Sequence, residues 1–311
     1  MNEYVIENDY IRLKFLDYGA VITSLFFKKQ GLDTVLSYDN YEDYYNNDIQ
    51  LGVSCVGDYA GRIKNAKYTI NDVTTYLDKN LKEHSIHGGF NNLSNSSFKV
   101  ECSKCFATLS CEHNCLDIKI VFSLSKDKFK QEIFAKTTKP IVFNPTNHTY
   151  FNLDSSDCMN YTLNLDSDYM YYLDKDSLAE KKIKLKNTRF NILNGKEQLR
   201  NICSSQFKYT KYIDHPFHLK SKNIKLQSDK YSLNIKTNQE YAVIYTGNYL
   251  KDVKKKINNR ISKDYMGICI ETQAIPNGIN MKGESGSILK PNENFYYFNE
   301  YHLSKLKKTQ D

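Results

Sequence analysis

Apolar residues recur at every second position in several stretches of the chain. Leu116, Ile118, Ile120, Phe122 and Leu124 form one such run, and Leu163, Leu165 and Tyr169 another. Tyr231, Leu233 and Ile235 make a third, and Phe295 with Tyr297 a fourth. A period of two over five to nine residues predicts antiparallel strands with one face in a core. Turn signals at Asn71-Asp72, Asn194-Gly195 and Asn277-Gly278 separate them. No three-turn amphipathic helix stands out, and neither a repeat nor a low-complexity linker divides the chain. The pattern predicts an all-β protein, a large antiparallel β-sandwich, with residues 1–311 as a single domain.

Composition narrows the classes. With 40% hydrophobic and 25% charged residues the 311-residue chain has ordinary globular content. It has no run of the ~18 apolar residues a membrane helix needs. Its opening, MNEYVIENDYIRLKF, lacks the basic-then-apolar order of a signal peptide, which predicts a cytoplasmic protein with no membrane partner. The net charge of +7 comes largely from KDVKKKINNR (251–260) and the terminal KLKKTQ, read as a solvated loop and a tail. Neither forms the basic stripe of a nucleic-acid site. Four of eight cysteines, Cys102, Cys105, Cys111 and Cys115, lie close together around His113. Their spacing fits no standard pair of zinc knuckles. Cys105, Ala107, Leu109 and Cys111 instead alternate like the inner face of a strand, so no metal is expected, although a site there stays an open alternative.

Candidate chemistry is scattered. NPTNHTYFNL (144–153) reads as a strand carrying His148 among β-branched and aromatic residues. Arg62 lies in GDYAGRIKN, His87 in HSIHGG, Asp214 in IDHPF and Glu271 in GICIETQAIPNGIN. Taken singly, each has a structural role to play: a surface ion pair for Arg62, a turn for His87, a cap for Asp214, one satisfied hydrogen bond for His148. Glu271 follows three apolar residues and a Cys, so burial should raise its pKa toward that of a useful general base. A nearby His would serve as the complementary acid.

In order and spacing these motifs resemble the aldose 1-epimerase family, the galactose mutarotases. YGAVITSLFF is similar to its YGA segment, VGDYAGRI to its NRI motif and IHGG to its LHGG. NHTYFNL, IDHPF, YTGNYL and GICIETQAIPNGIN are similar to four further family motifs. The resemblance implies a supersandwich fold and a small sugar substrate whose α and β anomers, as of glucose or galactose, are interconverted without cofactor by a monomer or homodimer. It makes Glu271 the general base, His148 the general acid at the ring oxygen, and His87, Arg62 and Asp214 substrate-binding residues. Three positions depart from the family pattern: Gly61 replaces an Asn, Asp58 an Arg, and Val243 a Gln that some members use on the sugar. These leave the preferred sugar open. Two other readings use the same residues. One is a glycoside hydrolase built on Glu271 and Asp214, whose carboxylates would then need a spacing of about 5 to 5.5 Å or about 6.5 to 9.5 Å; the other is a sugar-binding relative without catalysis.

Overall fold

A computed structural model describes residues 1–154 and 157–306. The predicted alternation forms the strands. Leu116–Ser125 buries every second residue and pairs antiparallel with Phe106–His113 on one side and Lys128–Thr137 on the other. These belong to a nine-stranded sheet that also takes Phe295–Lys305, Tyr231–Thr237 and Asn223–Gln227. A six-stranded sheet runs in the order Tyr150–Phe151, Ile268–Gln273, Tyr241–Tyr245, Asp214–His218, Tyr169–Leu173, Ala179–Lys184. A four-stranded sheet forms from residues 3 to 33. The only α-helix among the described residues is the single turn Phe207–Thr210.

The two large sheets meet face to face through aromatic rings. Phe129 of the nine-stranded sheet stacks on Tyr301 at 5.5 Å between ring centroids, and Tyr301 meets Phe151 of the six-stranded sheet at 5.5 Å. All three rings are fully buried, each worth roughly 1.5–3 kcal/mol relative to exposure. Ile268, Ile270, Ala242, Ile244, Phe217 and Met170 give this core the inner face of the six-stranded sheet. The period of two then sends their neighbours to the opposite face.

Three expectations change. Leu163 and Tyr169 are not one run: Thr162–Asn164 and Tyr169–Leu173 lie in different sheets, because Asp166, with a positive φ of 44°, turns the chain between them. Asn71-Asp72 is a hairpin turn with both φ angles positive, at 49° and 61°. Asn194-Gly195 instead opens the strand Asn194–Gln198, which pairs with Thr162–Asn164. In 251–260, Lys255 is not a free surface charge. Its Nζ binds the carbonyls of Asp43 and Asn46 and stands 4.9 Å from the Tyr38 ring centroid. Of the basic tail, Lys305 and Leu306 are described and residues 307–311 lie outside the described region. No helix among the described residues is long and apolar enough to cross a membrane.

Candidate active site

The outward face of the six-stranded sheet floors a cavity of about 570 Å³. Cross-strand register sets its pattern. Cys269 faces Tyr245, which faces Asp214; Glu271 faces Val243, which faces Pro216. Every second residue of Ile268–Gln273 points this way, so Glu271 stands on the cavity floor between Ile270 and Thr272, which point to the core side. A larger hollow of about 810 Å³ on the outer side of the nine-stranded sheet is lined largely by Asn, Ser and Lys and contains none of the motif residues.

His148 arrives from an irregular segment rather than a strand. Val142 ends one two-residue strand and Tyr150 begins the next. Between them the backbone is pinned piece by piece. The Val56 N–H donates to the Thr146 carbonyl, the His148 N–H donates to the Val53 carbonyl, and Thr146 Oγ1 donates to the Thr272 carbonyl. Buried Asn147 donates through Nδ2 to Oε1 of Gln131 on the nine-stranded sheet and accepts from the Thr149 N–H. The imidazole so held places Nε2 3.4 Å from Oε1 of Glu271. Its Nδ1 lies 3.4 Å from the Cys269 sulfur. Burial keeps Cys269 a thiol, with two acceptors in reach of its S–H: His148 Nδ1 and, at 3.9 Å, the His148 carbonyl.

His87 and Arg62 come from the two-residue strand pair Arg62–Ile63 and Ser85–Ile86. The His87 N–H donates to the Gly61 carbonyl while the Gly61 N–H donates to His87 Nδ1 at 3.2 Å. This clasp assigns the His87 proton to Nε2. Gly88 follows with φ of +83°, and a Cβ there would come within 2.7 Å of Asn92 and 2.9 Å of the Asp58 nitrogen, so only glycine lets the loop approach this closely. The His87 and His148 rings meet edge to face at 5.6 Å. The Nε of Arg62 is buried and has no hydrogen-bond partner among the described residues.

Burial dominates the electrostatics. It pushes Glu271 well above the usual carboxylate range, and the charge of Asp214 adds to this; Arg62 and a hydrogen bond from Gln273 act in the opposite sense. Asp214 is raised by burial and opposed by Arg62. Desolvation lowers His148 to about 4 and holds His87 well below its ordinary value, where His148 and Arg62 also act against a second positive charge. Both imidazoles are therefore neutral at neutral pH. The cavity presents a high-pKa carboxylate, two neutral imidazoles and a guanidinium nitrogen without a hydrogen-bond partner among the described residues, groups suited to a polyhydroxylated ligand.

Residues 2–302 match the family model described as aldose 1-epimerase. The chain belongs to the aldose 1-epimerase family. It is 29% identical to the aldose 1-epimerase of Haemophilus influenzae over 94% of this chain and 92% of that one. Its fold is similar to that of a galactose 1-epimerase from Lactobacillus acidophilus, with a TM-score of 0.87 at 27% identity over 98% of this chain and 95% of that one. An aldose epimerase homologue from C. elegans superposes with a TM-score of 0.90 at 21% identity, over 98% and 99% of the two chains. The all-β supersandwich expectation agrees with these folds, and neither the hydrolase reading nor the non-catalytic one is favoured.

The three departures from the family pattern differ in weight. Gly61 has φ of +70°, and a Cβ would meet Pro276 at 2.8 Å, so its lost side chain reflects a tight turn against that ring. Asp58 does not line the cavity; its Oδ1 turns to His113, 3.7 Å from Nε2. Val243 does line it, beside Glu271. Ala107 and Leu109 are buried and Cys105 and Cys111 pack against the same core, as alternation predicts. The one grouping of possible metal ligands among the described residues is Glu83, His84 and Asp176, which contains no cysteine. There the Asn65 N–H donates to His84 Nδ1, which puts the proton on Nε2 and removes the lone pair a cation would take. The five residues named from the sequence, Arg62, His87, His148, Asp214 and Glu271, all line this cavity; the sequence did not single out the neighbours that hold them, Asn147, Cys269 and Gln273. Each lies inside a quoted motif, but nothing in a linear pattern says which atom it holds.

Proposed function

We propose that Glu271 and His148 are the base and acid with which this protein, an isomerase of the aldose 1-epimerase family, interconverts the α and β anomers of an aldohexose. The observation that carries the assignment is the 3.4 Å approach of His148 Nε2 to Glu271 Oε1 on the floor of the cavity. Ionised Glu271 takes the proton of the C1 hydroxyl, and its raised pKa makes it a stronger base than an exposed carboxylate. His148 gives its Nε2 proton to the ring oxygen as the C1–O5 bond breaks. The electron pair of O1 forms the aldehyde, and the electrons of the broken bond stay on O5. Rotation about C1–C2 presents the other face, and reclosure returns both protons, so none is lost to solvent.

His87 offers a second N–H beside His148, and Arg62 and Asp214 supply a donor and an acceptor for ring hydroxyls. Positioned acid and base groups each contribute about 10²–10⁴ in rate, with orientation adding to it. The test is polarimetric relaxation of freshly dissolved α-galactose and α-glucose. Acceleration by wild-type protein and its loss in Glu271→Gln support the assignment; no acceleration with any aldose refutes it.

A further inference from the structure

Asp214 lines the cavity. Arg62 acts on its carboxylate by charge, but no side chain among the described residues hydrogen-bonds it. Its direction is therefore set by the backbone, through the peptide group that joins Ile213 to Asp214. The oxygen of this group accepts from the Thr246 N–H at 3.2 Å, from Thr246 Oγ1 at 3.2 Å and from Asn248 Nδ2 at 3.1 Å. A trans peptide points its N–H the opposite way, toward the strand Tyr169–Leu173. No ladder waits there. That strand meets Asp214–His218 through one pair, Met170 with Phe217, and its Leu173 N–H donates to Gln206 Oε1 at 2.7 Å. The missing acceptor is supplied by the next side chain along: the Asp214 N–H donates to His215 Nδ1 at 3.1 Å.

His215 is a costly residue for this place. It is fully buried, with its ring centroid 5.1 Å from that of Phe190 and 6.5 Å from that of Phe207. Because Nδ1 accepts, the proton sits on Nε2, which is buried and has no hydrogen-bond partner among the described residues. Burying an N–H unpaired is unfavourable, and a phenyl ring would fill the same aromatic surroundings without that cost. Burial also lowers the imidazole to about 3, so Nδ1 keeps its lone pair throughout the neutral range.

We propose that His215 is a positioning residue for sugar binding, its Nδ1 replacing the absent strand partner and fixing the peptide group from which the Asp214 carboxylate reaches the substrate. The role rests on the assignment of Asp214 to ring hydroxyls given above. It explains why a polar ring is kept among phenylalanines: the nitrogen is needed on the side that faces Asp214, and the stranded Nε2 comes with it.

The experiment measures kcat and KM for anomerisation of galactose and glucose, with circular dichroism melts, in two substitutions. His215→Phe keeps a ring and removes the acceptor; His215→Asn keeps an acceptor near the position of Nδ1 and leaves a void. His215→Phe is expected to melt near wild type and to raise KM by about tenfold with a smaller change in kcat. His215→Asn should melt lower yet stay closer to the wild-type KM. A merely structural role would order the two variants the other way. Combining His215→Phe with Asp214→Ala should raise KM no further than Asp214→Ala alone, since no carboxylate is left to aim. Unchanged KM in folded His215→Phe, a higher KM in His215→Asn than in His215→Phe, or additive effects in the double variant overturns the proposal. If His215→Phe does not fold, Thr246→Val, which takes one donor from the other end of the same peptide group, is expected to raise KM in the same sense, and an unchanged KM there overturns it. Wild-type activity with an unchanged KM in Asp214→Ala overturns the sugar-binding role of Asp214 and this one with it, while leaving the acid and base intact.

Discussion

Nε2 of His148 and Oε1 of Glu271 stand 3.4 Å apart although the two residues reach the cavity from different elements, one an irregular segment and the other the second strand of the six-stranded sheet. That gap is slightly long for a hydrogen bond and leaves both groups free to address a sugar. Glu271→Gln and His148→Gln should each lower kcat for mutarotation by about 10²–10⁴. Thermal unfolding of the variants should stay near that of wild type, because each exchange keeps a polar side chain of similar size in the cavity wall. Polarimetry together with circular dichroism melts checks both halves.

The pH dependence follows from the direction of two shifts. As the proposed base, Glu271 acts when ionised, and its pKa lies above the carboxylate norm, so kcat/KM should fall as pH drops through that raised value. His148 is neutral above about 4 and offers the Nε2 proton, so its titration gives no descending limb between pH 6 and 9. A rate profile that declines across that range would require a cationic acid and would refute the neutral-imidazole role. Cys269→Ala, which removes the thiol 3.4 Å from His148 Nδ1, should lower kcat by about tenfold, well short of the ~10⁴ that a wrong imidazole tautomer costs a serine protease; Cys269→Ser should restore most of it.

Asp58 predicts a stability effect remote from catalysis. His113 Nε2 accepts from Asn114 Nδ2, so it has no proton to give the carboxyl, and burial raises Asp58 to about 7. Below about pH 4 both folded and unfolded states hold the proton. Between about 4 and 7 the unfolded chain loses it first, so stability falls as pH rises, and above about 7 the full penalty is present. Asp58→Asn, which mimics the neutral acid, should match wild type at pH 4 and exceed it at pH 8 by on the order of 2–4 kcal/mol. Urea titrations at the two pH values measure the difference.

Asn147 joins the six-stranded sheet's active-site segment to the nine-stranded sheet through Gln131. Asn147→Ala leaves the Gln131 oxygen and the Thr149 N–H buried without these partners, at a cost of about 1–3 kcal/mol each. The same change loosens the aim of His148. Denaturant unfolding should show the stability loss, and kinetics should show kcat falling more than KM changes.

The sequence carried these features unevenly. Long strands such as Leu116–Ser125 announce themselves because one face is buried over ten residues. Tyr150–Phe151 is two residues long, too short for any period to register, and its neighbour His148 is held by side chains rather than a ladder. Glu271 was legible because an acid in an apolar strand is costly without a purpose. That Asp58 turns to His113 and not into the cavity was not legible, because it lies in a loop after Gly57, whose φ is +53°. There the direction of a side chain depends on backbone turns, and alternation says nothing.

Ile268–Gln273 divides its residues between the aromatic core and the cavity floor. Glu271 is therefore fastened to the same backbone that closes the sandwich, with no hinge between them. The conformational freedom of Glu271 is lost when the protein folds, not when sugar arrives, so a ligand meets a carboxylate already in place. Heat should then extinguish activity and tertiary structure together, since nothing in this arrangement lets the floor of the site melt before the wall behind it.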